Sequence, residues 1–370
     1  MPERYNPSGE SLEAFKERTE PTHIIDAYDD LLEDLFLIRN PRFKFVREYK
    51  AELAAFTEEY KRANPSFGEW FYFPWNGVLA HYLPEAEHLE LRTARNRNII
   101  TAEEQQALYG LRVAYAGLSV GSHGLFTFAH LGGGQRIKIA DPDTVSPSNL
   151  NRIRFDFLAV GRKKCDLARE YIYQLDPYAH VEAFADGVSA ENMDAFLSDI
   201  DVLVEETDNL EMKIRLRLEA RARGIPVIMA TDNGDNIIFE ADRFDLDKNA
   251  SLFNGAIGDI TIDEFKSFPP TELPKLATKI AGPGFIVPRM MSSLLEVGKT
   301  IYSWPQLVDA ATLSGVAIAY ALKQLALKRP LMSAKCEVNF DAILDPSYAD
   351  GRADREAARK DFLGKIGLEL

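Results

Sequence analysis

The stretch Val113-Ala-Tyr-Ala-Gly-Leu-Ser-Val-Gly-Ser122 decides the fold of this 370-residue chain. An apolar run ends at Gly117, a short turn follows, and residues 122–131 continue with a helical pattern. A strand that passes through a glycine turn into a helix leaves free N–H groups at the helix start, and these attract phosphate together with the helix dipole. Gly117 and Gly121 permit the tight backbone. Ser119 and Ser122 stand where G-x-G-x-x-G would place its second and third glycines, and a Ser hydroxyl can itself donate to phosphate. The next apolar run ends at Asp141, whose carboxylate can accept hydrogen bonds from ribose hydroxyls. By itself this unit suits a nicotinamide dinucleotide as well as ATP, or a strand-turn-helix with no ligand.

Working outward, apolar runs at 112–116, 136–140, 181–184, 202–205 and 227–231 alternate with helical patterns at 122–131, 163–174, 190–197 and 211–223. That alternation predicts an α/β domain with a parallel sheet. Gly224-Ile-Pro226 stops the last of these helices, with Gly just past its end and Pro opening the next element. A further strand is expected over 236–241. Residues 243–300 then lose regularity and read as a long loop or insertion, including Ala281-Gly-Pro-Gly-Phe285. A helix over 306–327, a strand over 335–343 and a charged, solvated helix in the tail from Asp345 complete the reading.

The N-terminal part differs. Residues 11–40 and 43–64 carry apolar side chains at helical intervals, with Ile24, Ile25, Tyr28, Leu31, Leu32, Leu35 and Phe36 as the clearest stripe. The aromatic run Phe67-Gly-Glu-Trp-Phe-Tyr-Phe-Pro-Trp75 is read as a packing patch rather than a partner groove. The expected organisation is a helical N-terminal extension (1–91), a main domain (92–345, with the loop region at about 243–300) and a charged tail (346–370).

Lys and Arg total 43 against 57 Asp and Glu, a net charge of −14, with 46% hydrophobic and 11% aromatic residues. This composition excludes disorder, and the acid excess disfavours generic nucleic-acid binding. Cys165 and Cys336, the two cysteines, allow neither a disulfide framework nor a thiolate zinc site within one chain, which fits a reducing compartment. No leader pattern opens the sequence, and the apolar stretch 310–322 is too short to span a bilayer. A cytoplasmic protein without membrane contact is expected. The six histidines form no ligand cluster, and His123 and His130 read as satisfied or surface residues.

Two further segments carry chemistry. Asp141-Pro-Asp-Thr-Val-Ser-Pro-Ser-Asn-Leu-Asn-Arg152, followed by Val160-Gly-Arg-Lys-Lys164, sets amides and cations beside the carboxyl end of a strand, where a triphosphate would sit. Val202-Leu-Val-Glu-Glu-Thr-Asp-Asn209 ends a strand in acids. There Asp208 holds Mg²⁺, a hard cation that prefers carboxylate oxygens, or else Asn209 or Asp208 simply caps the next helix. Thr231-Asp-Asn233 repeats the pattern one strand later and brings a second acid.

Together these motifs resemble the ThiF/MoeB family of ATP-dependent adenylyltransferases, related to ubiquitin-activating enzymes. The resemblance rests on Gly117 to Ser122, Asp141, Ser148-Asn-Leu-Asn-Arg152, Gly161-Arg-Lys-Lys164 and Thr207-Asp-Asn209, in the family's order, and on Arg95-Asn-Arg-Asn-Ile99 before the first strand. It implies a Rossmann-like doubly wound, mostly parallel sheet with helices on both faces and a long crossover loop. It implies that Gly117, Ser119, Gly121 and Ser122 cradle ATP, Asp141 binds ribose, Asn149, Arg152 and Lys164 the phosphates, and Asp208 Mg²⁺. Arg97 would reach the ATP of a second copy in a homodimer. The implied substrate is a carboxylate, foremost the C-terminus of a small ubiquitin-like protein or peptide, activated as an acyl-adenylate.

The chain departs from the family in lacking paired C-x-x-C motifs and any cysteine over 232–300, so no own catalytic thiol is expected. An NAD-dependent oxidoreductase would leave Asn149, Arg152, Lys164 and Asp208 without a task. A non-catalytic interaction protein of the same fold is the third reading.

Overall fold

The computed structural model describes residues 1–64 and 68–368; Phe67 of the aromatic run and the last two residues of the expected tail lie outside the described residues. The chain divides into two units. The first comprises Met1–Gln105, His130–Gly132 and Glu170–Ala179, and the second holds the remainder.

The first unit is not helical alone, as the sequence reading expected. Beside the helices Leu12–Thr19, Tyr28–Arg39, Lys50–Ala63 and Glu85–Arg92 it carries β1 (Glu3–Arg4), β2 (His23–Ile25), β3 (Glu69–Phe73) and β4 (Val78–Tyr82), ordered β1-β3-β4-β2. Most of the aromatic run is therefore a strand. Its Trp70, Phe71 and Phe73 are buried, and Asn76-Gly77 turns the chain into β4, with Gly77 at φ +69° and the Val78 N–H donating to Asn76 Oδ1 at 3.1 Å. Ile24 and Ile25 leave the predicted helical stripe for β2 and are exposed, whereas Tyr28, Leu32, Leu35 and Phe36 keep it and are buried. The His81 ring lies between Tyr28 and Trp70, 4.2 Å from each centroid.

The second unit is built on β5 (Arg112–Ala116), β6 (Arg136–Ala140), β7 (His180–Phe184), β8 (Val202–Glu205), β9 (Val227–Asn233), β10 (Asn236–Asp242) and β11 (Ala334–Val338). Their order is β11-β10-β9-β8-β5-β6-β7; the five strands from β9 to β7 run parallel, and β10 and β11 are antiparallel additions. Each strand begins within a residue of its predicted position. Such runs are legible because both faces are covered: Val202, Leu203 and Val204 are all buried, each side chain contributing roughly 1.5–3 kcal/mol. On one face Ala114, Ala116, Leu203, Val227 and Met229 pack with Phe196, Leu197, Ile214 and Leu216 from the helices Met193–Leu197 and Leu210–Arg223. Helices Gly121–His130 and Val308–Ala326 meet through two glycines. A Cβ on Gly124 would lie 2.8 Å from Ile318, and one on Gly315 would lie 2.6 Å from His123 Cβ.

Three expectations are corrected here. The strand foreseen over 335–343 ends at Val338, because Asn339 Oδ1 accepts from the Ala342 N–H at 2.9 Å and caps a short helix, Phe340–Leu344. Residues 243–300 are not a bare loop but hold helices Ile262–Ser267, Leu273–Ala281 and Pro288–Glu296. The tail is the expected helix, Arg352–Ile366, but it is anchored rather than solvated, burying Phe362 and Leu363 in a cluster with Ile238, Ile286, Met290 and Met291. Among the described residues no helix is long and apolar enough to cross a membrane.

Candidate functional site

β5 and β8 are neighbours, yet the chain leaves β5 toward β6 and leaves β8 toward β9, on opposite sides. The crevice beyond their carboxyl ends is the switch point at which open α/β sheets bind ligands. Here Gly117 donates to Ala140 O at 2.8 Å and Glu206 donates to Ala116 O at 2.7 Å. Gly117 has φ +94°, and a Cβ on it would stand 2.5 Å from Glu206 O, so only glycine fits. The helix starts at Gly121, where a Cβ would meet the Glu206 side chain at 3.5 Å. A Cβ at Gly121 would make only ordinary contact with Glu206, so the close approach that demands glycine is at Gly117. Ser122 Oγ donates to Ser119 O at 2.8 Å, and Ser119 Oγ accepts from Arg152 Nε at 3.3 Å.

Asp141 is buried. Its carboxylate accepts from the Leu118 N–H at 2.7 Å and the Asp143 N–H at 2.9 Å, which ties the glycine turn to the segment after β6. Lys164, also buried, stands 3.4 Å from Asp141 and donates to Asp143 Oδ2 at 2.9 Å. Asn149 Oδ1 accepts from the Ser146 N–H at 3.1 Å and closes a turn. Lys163 is structural, donating to Pro142 O and Ala185 O.

Arg152 differs from these. Its Nη1 donates to Ser148 O and to Asn151 Oδ1, each at 3.0 Å, but no carboxylate touches it among the described contacts. Burial lowers its pKa, opposed by the more distant charges of Asp208 and Asp232. At the end of β8 the cap is made by Asn209. Asn209 Oδ1 accepts from the Met212 N–H at 3.0 Å and caps helix Leu210–Arg223, which releases Asp208 from that duty. Asp208 is exposed, and desolvation by the surrounding protein pushes its pKa up against the pull of Lys213, Lys164 and Arg152. Asp232, the second acid, is buried and pushed up to about 6 by desolvation; Ser314 Oγ donates to it at 3.2 Å and Gln306 Nε2 at 3.4 Å.

The sequence reading passed over Glu206, whose side chain accepts from the Ala230 N–H at 2.7 Å and whose burial raises its pKa well above the usual carboxylate range. It also passed over Ser314 and Gln306, which lie far along the chain and carry no local signal. Cys165 is buried, facing Asp141 O at 3.5 Å, and burial pushes its thiol up to about 12, so it is held as an inert thiol. Cys336 lies in the edge strand β11 and is half-buried rather than core. Arg97 belongs to the first unit, where it donates to Ile38 O at 3.1 Å and Glu90 Oε1 at 3.0 Å.

The second unit therefore brings the helix start at Gly121, the cations Arg152 and Lys164, and the open carboxylate of Asp208 to the carboxyl ends of neighbouring strands. Such a set can neutralise a polyanion and share a divalent cation with it.

The model of the ThiF family matches residues 93–234. An uncharacterized protein of Mycobacterium tuberculosis is 34% identical over 86% of this chain and 45% of its own length. The adenylyltransferase and sulfurtransferase UBA4 of Candida albicans is 34% identical over 29% of this chain and 25% of its own. The chain thus spans less than half the length of these relatives. Among solved structures, PaaA is similar with a TM-score of 0.49 and 17% identity, over 69% of this chain and 70% of that one. E. coli tRNA N6-threonylcarbamoyladenosine dehydratase, TcdA, is similar with a TM-score of 0.47 and 19% identity, over 66% and 98%.

Proposed function

Because residues 93–234 of the chain form a ThiF family domain, we propose that the protein is an ATP·Mg²⁺-dependent adenylyltransferase that activates a carboxylate as its acyl-adenylate. The observation that carries this reading is the pair Arg152 and Asp208: at the switch point of the sheet, one cation and one carboxylate have no opposite charge in contact among the described residues. The adenylyltransferase named among the relatives supports the same reaction class.

In the reaction a carboxylate oxygen attacks the α-phosphorus of ATP, a new P–O bond forms, the bond to the β-phosphate breaks and pyrophosphate leaves. An anion approaches an anion, so the site has to neutralise charge and align the displacement. Arg152 is suited to the phosphates because its guanidinium is already oriented by Ser119, Ser148 and Asn151. Lys164 stands ready beside Asp141, and Asn149 shapes the loop between them. Asp208 fits a Mg²⁺ shared with the phosphates, since its carboxylate is open and holds no hydrogen bond among the described contacts. Ribose would meet the Asp141 corner, next to the turn Gly117 to Ser122.

The resemblance directs the substrate reading to the C-terminus of a small protein or peptide, with transfer to an acceptor other than Cys165. A homodimer would bring Arg97 of a second copy to the nucleotide, released from Ile38 and Glu90. A cytoplasmic setting suits an ATP-consuming enzyme with two unpaired cysteines.

The test is exchange of labelled pyrophosphate into ATP, with C-terminal peptides and small proteins as carboxylate donors. Exchange that depends on the donor and is lost in Asp208→Ala is expected. Absence of exchange for every donor, with ATP still bound, would overturn the adenylation reading.

A further inference from the structure

His123 lies near the start of helix Gly121–His130 and is fully buried. Its Nε2 stands 2.5 Å from the backbone oxygen of Arg152. Its Nδ1 is met by Arg154 Nε at 3.2 Å and Thr312 Oγ1 at 3.4 Å. A carbonyl only accepts, so Nε2 carries the hydrogen. A guanidinium N–H only donates, so Nδ1 offers its lone pair. The ring is thereby fixed as the neutral Nε2–H tautomer. Burial pushes its pKa down, against the Arg152 carbonyl and with help from Arg154. The imidazole cannot drift, because Gly315 lets helix Val308–Ala326 press against the His123 backbone.

From this geometry we infer that His123 is a positioning residue for Arg152. It touches no substrate; it pins the main chain of Arg152 to the helix that begins at the glycine turn. The guanidinium is held at Ser119 on that same turn. Backbone and side chain of Arg152 are therefore referenced to one rigid element, and the charge stays where the phosphates would lie. The inference rests on the adenylation reading, in which Arg152 meets the nucleotide. It adds that orientation, and not charge alone, sets the strength of that contact.

The experiment is calorimetric titration of the full chain with ATP and MgCl₂. His123→Leu is expected to weaken ATP binding about tenfold, the scale of one lost hydrogen bond that fixes a partner. His123→Gln, whose amide N–H takes the place of Nε2–H, stays within about threefold of the parent. In an Arg152→Ala background, His123→Leu should cost nothing further, because the residue it positions is gone. Unchanged binding by His123→Leu, or an equal loss in both backgrounds, would overturn the inference.

Should His123→Leu fail to fold, His123→Asn, whose shorter side chain cannot hold the Arg152 carbonyl, is titrated in both backgrounds; a loss of ATP affinity confined to the background that keeps Arg152 is expected, and unchanged affinity or equal losses would overturn the inference. ATP binding that Arg152→Ala leaves intact would instead contradict the role given to Arg152, and with it this inference.

Discussion

Two groups of charges in the second unit can be set side by side. On one face of the sheet Arg217 donates to Glu205 and, at 2.9 Å, to Asp242. Lys213 adds a 3.0 Å bond to Glu205, and the Arg217 guanidinium lies 3.9 Å above the Phe253 ring. Arg217 and Glu205 are completely buried. At the carboxyl ends of the strands, Arg152, Asp208 and Asp232 influence one another by charge without any ion pair among them in the described contacts. The difference teaches that density of charge does not mark a site. A buried cluster whose members neutralise one another is structural, whereas charges left uncommitted at a crevice are available to a ligand.

The largest effect should come from the paired cluster. Arg217→Leu leaves Glu205 and Asp242 buried without their cation and should cost about 3–5 kcal/mol of stability in urea unfolding; a loss under about 1 kcal/mol would remove the contrast. In the open cluster the effect moves from stability to activity. Arg152→Ala should leave the unfolding midpoint near that of the parent while donor-dependent pyrophosphate exchange falls about 10²- to 10³-fold.

Asp232 sharpens the comparison through pH. Its folded pKa of about 6 lies above the ordinary carboxylate value, so its ionisation opposes folding. That destabilisation is fully present above about pH 6 and absent once the group is protonated in both states, near pH 4. Asp232→Asn should therefore stabilise the protein by on the order of 1–3 kcal/mol at pH 8, with the gain fading between pH 6 and 4. A gain that does not change with pH would contradict the burial argument. The smallest effect belongs to Cys165→Ala, which should leave exchange within about twofold of the parent; loss of activity there would restore a thiol to the mechanism.

Much of the second unit was legible because parallel strands covered on both faces read as short apolar runs, and because Gly224 at φ +70° ends its helix where the sequence places it. β11 was overextended because Phe340 to Leu344 prolong an apolar run, and the cap at Asn339 is visible only when its side chain is placed. The sheet of the first unit was missed because strand β3 lies in a stretch with no alternation of polar and apolar residues. For the candidate site, motif spacing singled out Asp141, Asn149, Arg152, Lys164 and Asp208, whose roles toward a nucleotide belong to the proposal. His123 was not legible, because its partner Arg152 is remote in sequence and no local pattern announces that bond. Asn233 was read as part of a repeated acid motif, yet its amide holds Phe285 O at 2.9 Å and the Val287 N–H at 3.0 Å, which fastens the segment between β10 and β11.

The account stands on whether the uncommitted charges at the switch point bind ATP. Titration of parent protein and Arg152→Ala with ATP and MgCl₂, with NAD as the competing ligand, tests this directly. The account predicts that the parent binds ATP in preference to NAD and that Arg152→Ala binds it at least about tenfold more weakly. Equal ATP binding by the two proteins, or preference for NAD, would contradict it.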